Sequence, residues 1–230
     1  MDSKNFVVNI WSDFVCPWCW VAKRRFERAL EGFEHKSRVQ VNFKSFRLAP
    51  NHAVEPIKTV LVKKFGGVVG AESMMSSVRQ QAVMEGLEYN FDTMLFGDTS
   101  DAHMLVKAVK DGGLQHQLVE ALYEQSISFG KSIFDRSSLE RIARNVGVPL
   151  EVIQRAWSSS VPRALMQKDE RATIQMGTGV PVFVFDNEFY ISGAQPLDVF
   201  QRALSRMCDL SEVDLETSNS QACGLDGCDL

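Results

Sequence analysis

Cys16 and Cys19 stand two residues apart in the stretch VNIWSDFVCPWCWVAKRRF, with Pro17 and Trp18 between them. Two thiols at this spacing can exchange electrons as a dithiol–disulfide couple, or they can supply half of a tetrahedral zinc site. The flanking residues weigh on the choice. Phe6 to Trp11 is an apolar run interrupted only by Asn9, as in a strand covered on both faces. After Pro17 the residues Cys19, Ala22, Phe26, Ala29, Leu30 and Phe33 recur at helical spacing. Pro17 suits the first helical position, where its missing N–H would be unpaired anyway. Cys16 therefore falls at a helix start, where free N–H groups and the positive end of the helix dipole stabilise a thiolate. The sequence predicts an exposed, activated Cys16. It puts Cys19 one turn on, near enough to resolve a mixed disulfide.

The elements that must hold this pair are also legible. Val39, Val41 and Phe43 alternate with Gln40 and Asn42, a second strand that makes the opening β-α-β with parallel strands. From about Pro56 to Met176 the pattern turns helical. Apolar residues keep helical spacing at Ala102, Leu105, Val106 and Val109, again from Leu114 to Leu122, and again from Leu139 to Val146. Gly147 and Pro149 stop the last of these. Further helices are expected over 56–65, 71–86, 149–158 and 162–176. PVFVF at Pro181 to Phe185, the turn Asp186-Asn187-Glu188 and the strand Phe189 to Ile191 form a hairpin. A closing helix is expected from about Pro196 to Met207.

The expected fold is α/β: one discontinuous domain from residues 1–51 and 177–208, split by an inserted all-helical domain over 52–176. Residues 209–230 read as a flexible, cysteine-containing tail.

Pro181 opens its strand. A cis bond there would set the Val180 backbone beside the thiols, free to pair with an extended client. A trans proline starting an edge strand is the plainer local reading.

Composition narrows the partners. The 230 residues are 45% hydrophobic and 23% charged, with a net charge of −4. Nucleic acid and an anionic membrane are not expected partners, because such proteins concentrate positive charge. The start MDSKNFVVNIWSDF lacks a secretory pattern and is too short to span a bilayer, so the expected location is cytoplasmic. In a reducing compartment paired thiols are redox-active or metal-binding more often than structural. His35, His52, His103 and His116 show no metal-ligand spacing, and GGVVG at Gly66 to Gly70 lacks the lysine of a phosphate loop. Lys23, Arg24 and Arg25 are expected on a solvated helix face, and Cys208 as a small buried hydrophobe.

DFVCPWCW, GTGVPVFVF and YISGAQP together resemble the DsbA-like thioredoxin-fold proteins, and within them the cytoplasmic FrnE-like group. The likeness covers most of the chain. It implies a thiol–disulfide oxidoreductase with Cys16 as nucleophile and Cys19 resolving, acting on thiol- or disulfide-containing proteins or small thiols. It also implies a cis Val180–Pro181 bond packed on the thiols, with Pro17, Trp18, Val180 and Pro181 contacting substrate. DTSDAHMLVKA resembles a helix start that faces the cleft in these relatives, which makes His103 a candidate cleft residue; the plainer alternative is a surface histidine. No cofactor is implied, glutathione entering only as a redox partner. Kappa-class glutathione transferases and 2-hydroxychromene-2-carboxylate isomerases share the superfamily and supply a second functional reading. They typically carry serine in place of Cys16, so two cysteines here favour dithiol chemistry.

ACGLDGC places Cys223 and Cys228 in the tail. They form an accessory redox pair that exchanges with Cys16 and Cys19, or complete a four-thiolate zinc site with them, or remain free thiols. A flexible tether would make the first encounter intramolecular, at roughly millimolar effective concentration. FrnE-like proteins often end in a similar tail, which supports the first reading.

Overall fold

In the computed structural model residues 5–176 and 179–220 are described. The central sheet has the order β2-β1-β5-β6, built from β1 (Phe6–Ser12), β2 (Val39–Ser45), β5 (Val182–Phe185) and β6 (Phe189–Ser192). β1 runs parallel to β2, with Phe6 opposite Val39, and antiparallel to β5, with Val8 opposite Phe185. The expected β-α-β opening and the late hairpin are both present.

Side-chain alternation divides the core into two layers. Phe6, Val8 and Ile10 of β1 and Phe183 and Phe185 of β5 face α1 (Pro17–Glu31) and α9 (Leu197–Ser220). There the Phe26 ring packs 5.4 Å from Phe183 and 6.1 Å from Phe200. Trp11, Val182 and Val184 form the opposite layer, against Ala172 of α8 (Val161–Met176). The hairpin turn uses Asp186 and Asn187 at positive φ, 48° and 61°, a conformation these two residue types tolerate better than most.

The insertion carries α2 (Ile57–Lys64), α3 (Val68–Met84), α4 (Ser100–Ala108), α5 (Gly112–Tyr123), α6 (Arg136–Asn145) and α7 (Leu150–Ser158), and ends in α8. These bounds lie within a few residues of the expected helices. The insertion is not wholly helical: β3 (Glu55–Pro56) pairs antiparallel with β4 (Leu95–Phe96). Two-residue strands leave no alternation to detect in a sequence. The closing helix also runs beyond Met207, the end expected for it, to Ser220. No Gly or Pro occurs between Pro196 and Gly224, so nothing local interrupts the helix, and weak amphipathicity is no bar to it. Cys223 and Cys228 lie outside the described residues. Among the described residues no helix is long and apolar enough to cross a membrane.

A second correction concerns the basic cluster of α1. Lys23 and Arg25 are buried, at 2% and 6% exposure; only Arg24 keeps partial access. Lys23 bonds Glu27 at 2.5 Å and Glu120 of α5 at 2.5 Å. Arg25 donates Nε to Glu85 at 2.9 Å and Nη1 to the Ala194 carbonyl at 2.8 Å, and reaches Gln81 of α3. The charges that looked solvated are the joints between α1, the insertion and the turn after β6. Helical spacing shows that these residues share a face, but not that another helix arrives to cover it. Glu85→Ala should destabilise the fold by about 3 kcal/mol, because it leaves the buried Arg25 charge without its carboxylate. Arg28→Ala, which removes only the exposed partner of the same Glu85, should cost under about 1 kcal/mol. Urea denaturation of the two variants checks the ordering.

Candidate active site

β1 ends at Ser12, and Asp13 and Phe14 turn the chain into α1. Two backbone bonds shape that turn: the Cys16 N–H donates to the Asp13 carbonyl at 3.1 Å, and the Cys19 N–H to the Cys16 carbonyl at 3.1 Å. Cys16 is the N-cap of α1, with extended backbone at φ −91° and ψ 110°, and Pro17 follows at the helix start as expected. The Asp13 carboxylate has no exposure to solvent. It accepts from the Leu48 N–H at 2.7 Å and the Thr99 hydroxyl at 2.7 Å. The turn that carries the thiols is thereby bonded to the chain entering the insertion and to the start of α4.

The second wall comes from the late hairpin. Val180–Pro181 is a cis bond, as the resemblance implied. The Cys16 thiol lies 4.0 Å from the Val180 carbonyl oxygen, a long and weak S–H···O contact. Gly193, at φ +82°, donates its N–H to the Pro181 carbonyl at 2.8 Å. The SGAQ segment thus braces the proline from behind.

Cys16 and Cys19 differ in access. Cys19 is 1% exposed and Cys16 6%, so the expectation of an exposed nucleophile is corrected: the side chain forms the floor of a cleft. The cleft holds about 360 Å³, with Pro17, Trp18 and Val180 beside Cys16 and Leu48, Ile57 and Leu61 among the residues above it. Residues at the start of the insertion, Ile57, Val60 and Leu61 of α2, thus share the lining with the start of α1. A second depression of about 350 Å³ shares Trp18 and Val180 with the first and is lined further by Pro181, Gly193 and Ala194. Cys16, Pro17, Trp18, Val180 and Pro181 are therefore brought together, with Cys19 behind them.

His103 lines neither depression. It is 3% exposed on α4, its ring 4.8 Å from Phe14 and its Nε2 3.5 Å from an Asp13 carboxylate oxygen. Both the cleft and the surface expectations are corrected. α4 turns this position inward, beneath the loop that leads to the thiols.

Burial pushes the Cys19 thiol well above its ordinary value, and the adjacent Cys16 raises it further. Two tyrosines missed in the sequence stand close by. Tyr89 donates its hydroxyl to the Pro17 carbonyl at 2.7 Å. Its phenol is raised first by burial and then by the neighbouring thiols. Tyr123, fully buried at the end of α5, is raised by burial and then by Cys19. Both rings stack with Trp20, at 5.4 Å and 6.1 Å. Aromatic residues remote in sequence offer no spacing signal that ties them to Cys16. Asp13 did offer one, as a charged residue directly after a buried strand.

Among the described residues no group of three or more His, Cys, Asp or Glu side chains is placed to hold a metal ion. A four-thiolate site would draw half its ligands from Cys223 and Cys228, outside those residues. What the described arrangement can do is thiol chemistry: one sulfur open to a cleft, a second closed behind it, and an adjoining backbone edge at Val180.

Comparison with known proteins bears on the family and the fold. The profile of the DSBA-like thioredoxin domain matches residues 7–205. The crystal structure of a probable DsbA oxidoreductase from Streptomyces coelicolor is 34% identical, with 98% of this chain and 94% of that one covered, at a TM-score of 0.81. An uncharacterized protein from Bacillus subtilis, YwbO, is 26% identical over 208 residues, covering 86% of this chain and 95% of the relative. The cytosolic disulfide reductase DsbM from Pseudomonas aeruginosa shares the fold at 14% identity and a TM-score of 0.64, over 89% of this chain and 99% of its own. It has also been solved with GSH. On the profile match and the Streptomyces relative, this chain belongs to the DsbA-like thioredoxin domain family.

Proposed function

We propose that the protein is a thiol–disulfide oxidoreductase in which Cys16 attacks and Cys19 resolves. The observation that carries this reading is the unequal placement of the two thiols. Cys16 meets a cleft at the start of α1, while Cys19 is shut behind it, one turn on. In the reducing direction the Cys16 thiolate attacks one sulfur of a client disulfide, forming a mixed disulfide and expelling the first client thiolate. The Cys19 thiolate then attacks Cys16, breaks the mixed disulfide and releases the second. Two electrons pass to the client, and the protein is left with a Cys16–Cys19 disulfide. The reverse sequence oxidises a client dithiol.

Val180 offers its backbone to an extended client segment, Pro181 supplies no competing N–H, and Pro17 and Trp18 flank the reacting sulfur. The cytoplasm is the proposed compartment and the FrnE-like group the proposed branch. DsbM, a cytosolic reductase of the same fold, supports the first of these. Its complex with GSH supports glutathione as a small redox partner. The Cys223–Cys228 pair is proposed to exchange with the front pair, on the strength of its spacing and its glycine-rich loop.

Mixed-disulfide trapping tests the core of this reading. Cys19→Ala should accumulate adducts at Cys16 with a model peptide disulfide, and Cys16→Ser should accumulate none. A folded Cys19→Ala protein that forms no adduct would falsify the assignment. The buried Cys19 thiol carries a pH signature as well. Its folded value lies well above the ordinary 9.0, so above about pH 9 the unfolded chain gives up a proton that the folded protein keeps. Stability of the reduced protein therefore falls as pH rises through that window. Urea midpoints between about pH 8 and 10 should drop more steeply for the reduced wild type than for Cys19→Ala. Parallel slopes would mean that Cys19 titrates as an ordinary thiol.

A further inference from the structure

Of the residues that line the cleft over Cys16 one is charged, the exposed Lys64. Along α2 the residues Ile57, Val60, Leu61 and Lys64 fall at i, i+3, i+4 and i+7, one helical face, and all four line the cleft. The first three continue its apolar wall. Lys64 takes the fourth place, where the pattern calls for another apolar residue. The neighbouring lysines of α2 have carboxylate partners: Lys58 bonds Asp92, and Lys63 lies 3.3 Å from Glu55. Among the described residues Lys64 has none; its ammonium stands 6.0 Å from the Phe65 ring centre, and the cleft is lined by no Asp or Glu. The C-terminal turn of a helix favours a cation, which accounts for a lysine in that turn but not for its place on the cleft-lining face.

We propose that Lys64 is a specificity residue that selects peptide disulfides bearing a carboxylate beside the reacting half-cystine. The proposal rests on exchange at Cys16. The occupant is a cysteine-containing segment of a polypeptide. Its half-cystine meets Cys16, an apolar neighbour lies against Val60 and Leu61, and an acidic neighbour faces Lys64.

The test uses synthetic peptides joined through their cysteine to pyridine-2-thiol, identical except for Glu or Lys beside the cysteine. Attack by Cys16 on the peptide sulfur forms the mixed disulfide and expels pyridine-2-thione, which is read by absorbance in a single turnover of the reduced full-length protein. The Glu peptide should react about fivefold faster than the Lys peptide at low salt, the upper end for a solvent-accessible charge pair. The ratio should shrink in about 0.5 M salt. Lys64→Gln should level the two rates, and Lys64→Glu should invert their order. Lys63→Glu makes the same change in net charge outside the cleft lining and should leave the ratio as in wild type.

Equal rates for the two peptides, or a ratio that Lys63→Glu moves as much as Lys64→Glu, would overturn the proposal while leaving exchange at Cys16 intact. Absence of thione release from either peptide would overturn the exchange reading itself. The 2-pyridyl mixed disulfide of glutathione separates the sources of the carboxylate. A Lys64 dependence seen with that tripeptide and not with the Glu peptide would replace the polypeptide client by a small thiol and so overturn the proposal.

Discussion

A carboxylate with no exposure to solvent has to be fully hydrogen-bonded, because an unpaired buried charge costs several kcal/mol. Asp13 meets that demand with partners that fix the whole site. Its two oxygens take the Leu48 N–H and the Thr99 hydroxyl, and its backbone carbonyl takes the Cys16 N–H. One residue therefore ties the end of the central strand, the chain entering the insertion, the first turn of α4 and the N-cap of α1. Removing any one of these partners would leave charge or backbone unsatisfied in the interior. The thiol turn and the insertion are consequently placed together, and the cleft between them follows from that placement. His103 lies 3.5 Å from the same carboxylate without a hydrogen bond to it, and it is not among the residues lining the cleft.

The charged joints of α1 act on a second side of the same helix. Arg25 reaches α3 through Glu85 and Gln81, and the turn after β6 through the Ala194 carbonyl. That turn continues from Gly193, whose N–H holds Pro181. The helix bearing Cys16 and Cys19 and the strand start bearing Val180 and Pro181 are thus linked through one guanidinium, in addition to the β1–β5 ladder beneath them. A planar group with several donors in fixed directions suits such a junction better than a lysine would.

How much of this could be read from the chain follows from the range of each interaction. The strand before Cys16, the helix after it and the PVFVF hairpin declare themselves because their periodicity is local. Most insertion helices do so too, since an apolar stripe at 3.6-residue spacing needs no knowledge of its partner. The α2 lining of the cleft over Cys16 does not, because that helix lies more than thirty residues away and nothing in its composition names the residue it shares the cleft with. The same limit applies to Lys23 and Arg25, which read as surface until α3 and α5 are laid against them. Tyr89 and Tyr123 reach the thiols only through tertiary packing. Asp13 is the exception: a charge directly after a buried strand already called for an explanation, and its bonds provide one.

The unequal burial of the two sulfurs has a chemical consequence for the proposed exchange. Cys16 stands at the cap of α1, against the cleft. Cys19 sits inside the first turn, where burial raises the energy of its anion. Forming the mixed disulfide needs only the sulfur at the cleft floor. Resolving it needs a proton to leave an interior walled by Tyr89, Tyr123 and Trp20. That asymmetry makes resolution the step most sensitive to the surroundings, and those surroundings come largely from the insertion. The insertion thus bears on the chemistry twice, shaping what can approach Cys16 and setting the medium in which Cys19 must ionise.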